Sequence, residues 1–170
     1  LHLRDTTQPQ PQPITTADIQ GPLQRCRASL EAVGLATIAN GKLLDLIRKL
    51  STFGAHLVTL DVRQDSTRHS DVIGEITLAL GLGDYRDWSE ADKLAFLQNE
   101  IKEARPLIPI GFACSPPCQE VLDTFNVIAE APREALGCYV ISMASDASDV
   151  LAVQLLLKAT GGPLDLPVSP

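Results

Sequence analysis

Aromatic residues are scarce in this chain. Four Phe, two Tyr and one Trp amount to 4% of its 170 residues, so a packed interior must be built from Leu, Ile, Val and Ala. Basic residues are in the minority too: 14 Lys and Arg stand against 21 Asp and Glu, for a formal net charge of -7. That balance argues against a general nucleic-acid face or an anionic-membrane surface, while a small anion could still bind in a local cationic pocket. No apolar run is long enough to span a bilayer and no signal-peptide pattern opens the chain, so the expected compartment is the cytoplasm. Four cysteines, Cys26, Cys114, Cys118 and Cys138, are too few for a disulfide framework in a chain of this size. "CSPPC" at 114–118 lacks the usual two-residue gap of a redox or zinc pair, and no second ligand pair or nearby His completes a metal site. These thiols are read as reduced and without function. "GLGDY" lacks the three-glycine nucleotide fingerprint and follows a helix, so it is read as a helix stop.

What is present suits one globular domain or a large part of one, with 45% apolar and 21% charged residues. Residues 1–16 form a Pro/Gln-rich lead-in, expected to be extended and exposed. Residues 17–170 carry the regular pattern. Helical periodicity runs over 17–33, with Gly21-Pro22 expected to reset its start, and again from Asn40, a plausible N-cap, to about Gly54. "HLVTLDV", 56–62, reads as a strand buried on both faces. Three helices follow. The first is capped by Ser66 or Thr67, the second by Ser89 and ended before Pro106, and the third runs over about 118–129. "GCYVISMA" is a second buried strand, "SDASDVLAVQLLLKATGG" a helix, and "PLDLPVSP" the start of a third strand. Strand, helices, strand, helix, strand is the order of a parallel α/β sheet. A partial (β/α)8 barrel and a doubly wound sheet both fit. The missing Met and the unfinished last strand suggest a piece of a longer protein.

The densest cluster of polar chemistry is "LDVRQDSTRH", 60–69. In parallel α/β folds, ligands bind at the carboxyl ends of the strands, where loops and helix N-termini converge. Arg63 would be the first side chain past such an end, able to offer a bidentate fork to phosphate or carboxylate. Arg68 and His69 would lie in the first turn of the next helix, and the free amides of Ser66 and Thr67 would favour an anion. The plainer reading has Arg63 as a surface ion pair, with Arg68 and His69 solvated or packing. Asp61 and Asp65, without a third ligand, are expected to orient the arginines rather than hold a metal. His2 and His56 carry no signal.

"LVTLDVRQDSTRHSDVIGEIT" resembles the "D-[IV]-R-Q-[ED]-S-x-R-H" segment of the phosphoenolpyruvate carboxylase family. "GLGDYRDWSEADKLAFLQNEI", "RPLIP", "EVLDTFNVIAEAP", "YVISMASDASDVLAVQLLLKATG" and the upstream "SLEAVGLATIANGKLLDLIRKLSTFG" resemble it in the same order, so the likeness is nearly continuous from about residue 23 to 170. "IGFACSPPC" and the lead-in match no family segment that can be placed from the sequence. The resemblance implies a segment of a large, mainly helical enzyme around an eight-stranded α/β barrel, assembled as an allosteric homotetramer. It would convert phosphoenolpyruvate and bicarbonate to oxaloacetate and phosphate with Mg²⁺ or Mn²⁺, through carboxyphosphate and a metal-bound enolate. It implies Arg63 as the contact to the substrate phosphate, with Gln64 and Arg68 as candidates beside it. It also implies Glu100 and Arg105 at a subunit contact, against the alternative of a solvated helix end. By the same resemblance the catalytic histidine would lie upstream and the metal-binding glutamate just after Pro170. The segment would then hold no catalytic base and no metal ligand, and be inactive alone. A second reading is a stand-alone, non-catalytic domain that binds a protein partner or a phosphorylated ligand.

Overall fold

The computed structural model describes residues 14–170. The expected lead-in falls outside the described residues, except that Ile14 and Thr15 carry no regular structure and Thr16 opens a helix. The chain divides into two compact units, with the division between Val58 and Thr59.

Among the described residues the first unit holds three helices: α1 (Thr16–Ala32), α2 (Ala36–Ala39) and α3 (Lys42–Phe53). α1 starts where Thr15 and Asp18 form a reciprocal cap. The Thr15 hydroxyl accepts from the Asp18 amide at 3.2 Å, and an Asp18 carboxylate oxygen accepts from the Thr15 amide at 2.9 Å. The helix therefore begins ahead of Gly21-Pro22 and runs through them, contrary to the expected reset; Pro22 removes one internal hydrogen bond, and the satisfied cap decides the start. Asn40 is not the N-cap of α3. It closes α2, its side chain accepts from Arg27 at 3.0 Å, and Gly41 precedes α3 instead. Gly54 ends α3 as expected.

The second unit contains the sheet. β1 (Leu60–Asp65) leads into α4 (Ser66–Ala79), α5 (Glu90–Lys102) and α6 (Pro116–Glu130). β2 (Leu136–Ser142), α7 (Ala147–Thr160) and β3 (Val168–Ser169) follow. The strands are parallel in the order β1-β2-β3. This is the helix-rich α/β order expected from the sequence, with three helices in the first crossover. The caps follow from chemistry. Ser89 and Ser115 cap α5 and α6, two prolines fill the first turn of α6, and Asp146 with Asp149 caps α7. Gly161 ends α7 at φ 78°, with nothing within 4 Å of the place a Cβ would occupy. Gly161→Ala would then act through backbone strain alone. It is expected to cost about 1 kcal/mol, read as a lower urea midpoint at unchanged slope.

β1 differs from its expected form in two ways. It begins at Leu60 rather than near residue 56, and it is an edge strand with one solvated face, not a strand buried on both. Leu60 is 63% exposed, and Asp61 and Arg63 are exposed with it. Alternation along the pleat sends Val62, Tyr139, Ile141 and Val168 into the core shared with α4, α6 and α7. The same alternation puts Asp61, Arg63, Cys138, Val140 and Ser142 on the opposite face. Between Leu60↔Leu136 and Val62↔Tyr139 the register slips by one residue on β2, a bulge that frees one ladder amide. Asp61 takes it up: its carboxylate accepts from the Cys138 amide at 3.1 Å. Gly137 makes this possible, since a Cβ there would collide with the Asp61 carboxylate.

The core is mostly aliphatic, as the composition requires. Val72, Ile73 and Ile76 of α4 meet Val121, Leu122 and Ile128 of α6 and Val153, Leu155 and Leu156 of α7. Its few rings are stacked together: Phe125 lies over Tyr139 at 5.3 Å and 20°, with His69 edge-on to Phe125 at 6.1 Å.

Candidate functional site

Arg63 sits within β1, two residues before its end, rather than past it. It is exposed on the face of the sheet opposite the core. Ion pairs among the described residues involve Arg27, Arg48, Arg68, Arg86, Arg105 and Arg133, and Arg63 joins none of them. The surface-pair alternative for Arg63 therefore has no partner among the described residues. Asp61 and Asp65 do not orient it: Asp61 holds the β2 bulge and Asp65 caps α4. Cys138 is the neighbour that feels Arg63. Its thiol is held above the ordinary range, first by desolvation and then by the hydrogen bond and charge of Asp61, with the guanidinium pulling the other way.

The start of α4 is less open to an anion than expected. Asp65, not Ser66 or Thr67, is its N-cap, and one Asp65 oxygen accepts from the Thr67 amide at 2.9 Å and the Thr67 hydroxyl at 2.7 Å. The hydroxyl and then the amide of Thr67 hold the Asp65 carboxyl below its usual range. A carboxylate in this place competes with any anion for the helix terminus. The Ser66 hydroxyl donates to the Met143 carbonyl at 2.9 Å.

Gln64 lies on the face opposite Arg63; its side-chain oxygen accepts from the Asp65 amide at 3.1 Å, and its carbonyl accepts from Ser142. Arg68 turns to α6, pairing with Glu120 at 2.8 Å and donating to the Pro117 carbonyl at 3.3 Å. His69 is fully buried, with Nε2 at 2.7 Å from the Tyr139 hydroxyl. Burial pushes its imidazole from 6.5 down to about 4, against the charges of Asp149 and Asp65. It is a neutral core group, and its Nδ1 has no partner among the described residues.

Glu100 and Arg105 pair with each other at the end of α5. Glu100 is 4% exposed, so the solvated-end reading fails for it. One of its carboxylate oxygens is buried without a partner among the described residues. Lys158 of α7 donates to the carbonyls of Glu100 and Glu103, satisfying the open end of α5.

The sequence reading missed one juxtaposition. Glu75 of α4 comes against Cys114 and Cys118, and these are the one group of three His, Cys or acidic side chains among the described residues close enough to share a metal ion. No local motif signals it, because Glu75 arrives from another helix. Among the described residues no helix is long and apolar enough to cross a membrane.

The sequence comparisons agree with one another. The model of the phosphoenolpyruvate carboxylase family matches residues 2–167. The phosphoenolpyruvate carboxylase of Vibrio atlanticus is 53% identical over 169 residues, covering 99% of this chain and 19% of the relative. That of Vibrio parahaemolyticus is 56% identical over 149 residues, 88% of this chain and 17% of the relative. That of Yersinia enterocolitica is 54% identical over 157 residues, 92% of this chain and 18% of the relative. The chain thus spans less than a fifth of the length of these curated relatives. An identity above half, sustained across both units and through the Arg63 strand, leaves no room for chance similarity: the chain belongs to the phosphoenolpyruvate carboxylase family.

Proposed function

We propose that this chain works as part of a longer phosphoenolpyruvate carboxylase, which joins bicarbonate to phosphoenolpyruvate to give oxaloacetate and phosphate. The observation that carries the reading is Arg63, a guanidinium on the open face of the sheet with no ion-pair partner among the described residues, in a chain whose relatives bear that enzyme's name. In this role Arg63 grips the substrate phosphate through its planar fork. Arg68, tied to α6, has the supporting task of fixing α4 behind the site, and Gln64 braces the turn from β1 into α4. The three parallel strands are then a sector of an eight-stranded barrel, whose remaining strands cover the open edges and the polar face.

The family implies Mg²⁺ or Mn²⁺, which require several oxygen ligands. The donors here do not fit. Asp61 and Asp65 are committed to backbone amides, and the one clustered ligand set among the described residues is two thiols and a carboxylate. The magnesium ligands, like the base, then come from outside this segment. The exposed side chain of Arg105, anchored on the buried Glu100, supports placing this pair at a subunit contact of a homotetramer, in a cytoplasmic enzyme.

The test is direct. The complete protein should form oxaloacetate from phosphoenolpyruvate and bicarbonate, followed by coupled reduction to malate, while residues 1–170 alone should form none. Oxaloacetate from the isolated segment would overturn the division of labour. Binding of phosphoenolpyruvate by the isolated segment, abolished in Arg63→Ala, would favour a stand-alone binding domain instead.

A further inference from the structure

The two cysteines of "CSPPC" and Glu75 belong to different parts of the second unit. Cys114 lies in the loop before α6, Cys118 in its first turn, and Glu75 on α4. A carboxylate oxygen of Glu75 and the two sulfurs all lie within 4.8 Å of one another. Ser115 holds them there. Its hydroxyl donates to one Glu75 oxygen at 2.5 Å, its amide donates to the other at 2.8 Å, and as N-cap its hydroxyl also accepts from the Cys118 amide at 3.4 Å. Pro116 and Pro117 stiffen the turn that carries both thiols. Cys118 is 1% exposed, whereas Cys114 and Glu75 are half-buried, so the cluster is walled by protein on one side and open to solvent on the other.

We propose that Glu75, Cys114 and Cys118 form a binding site for a borderline-soft divalent cation of the zinc class. Two sulfurs and one carboxylate oxygen suit Zn²⁺ or Co²⁺ and not Mg²⁺. Tetrahedral bonds of about 2.3 Å to sulfur and about 2.0 Å to oxygen require the three atoms to close in by about 1 Å at most. Each thiol loses its proton to solvent as its bond to the metal forms. The Ser115 hydrogen bonds orient the carboxylate from behind, as the outer partners of metal ligands do. The fourth position faces solvent, where Gln119 Oε1, 3.6 Å from the Cys114 sulfur, or a water can enter. An ion here would clip α4 to the start of α6, behind the strand that carries Arg63. This inference does not rest on the carboxylase reading.

The test is titration of the protein at its full natural length with Co²⁺, in excess Mg²⁺ to occupy oxygen-ligand sites. The expected result is one equivalent of cobalt showing tetrahedral d–d bands and a thiolate-to-cobalt charge-transfer band, both displaced by Zn²⁺. Cys114→Ser should abolish the charge-transfer pattern, and Glu75→Gln should weaken binding by at least about tenfold. Cys114 is half-exposed and lies before the helix, so its serine variant keeps the fold, checked by circular dichroism; Cys118→Ser is the second variant. Absence of a thiolate–cobalt band, or a band unchanged in Cys114→Ser, would overturn the site.

Discussion

Replacing Arg63 with lysine in the complete enzyme is expected to lower kcat/KM for phosphoenolpyruvate by roughly 10–100-fold, because a charged hydrogen bond is worth about 1.5–3 kcal/mol and lysine cannot restore the second tooth of the fork. The charge is conserved, so long-range attraction survives and the loss falls on geometry. Both KM and kcat should suffer, since the phosphate is held in the ground state and must be positioned as its bond to the substrate breaks. Arg63 has no ion pair among the described residues, so the substitution breaks none of these pairs and the fold should be unchanged. Steady-state kinetics decide the matter. Wild-type values in Arg63→Lys would remove this side chain from the phosphate site and leave only family membership standing.

Acid should weaken the second unit through one residue. The native state holds His69 neutral with its pKa near 4, while the unfolded chain returns it to about 6.5. Between those values the unfolded state binds the extra proton, so stability is full above about pH 6.5 and falls as pH drops toward 4. From pH 7 to pH 5 the loss attributable to His69 is about 2 kcal/mol. Urea unfolding at the two pH values, in the wild type and in His69→Leu, isolates it. The leucine variant gives up the hydrogen bond to Tyr139 and should start less stable, yet lose correspondingly less on acidification. An equal acid response in both proteins would show that His69 ionises freely in the native state.

Much of this architecture is legible in the letters because local chemistry and global fold agree. Ser89, the prolines of α6, Asp146 and Gly161 mark helix ends by mechanisms that need no partner. Strand order and the three-helix crossover follow from the sequence of apolar runs. The errors cluster where a distant residue decides. The apolar letters of residues 57–58 suggest an earlier β1, but the strand begins where β2 offers a partner, so Arg63 falls inside it. An edge strand tolerates Asp61, Arg63 and Asp65 on its wet face, and a reading that assumes burial on both sides places Arg63 and Asp65 past the end. Asp61 looks like a brace for arginine until the slipped register on β2 supplies an amide that needs it. Arg68 is paired to Glu120 and Glu75 to Ser115, both across the crossover, and neither partnership leaves a local trace.

The pairing of Leu60 with Leu136 has a consequence for biosynthesis. When β1 leaves the ribosome, its partner β2 is still roughly 70 residues away, on the order of ten seconds of translation. The hairpin shortcut open to antiparallel strands does not exist for this pair. The apolar stripes of α4 and α6 can pack together during that wait, so these helices are in position to receive β1 before its sheet exists. The charged letters of β1, which make it hard to read as a strand, also keep it from sticking to another nascent chain in the interval.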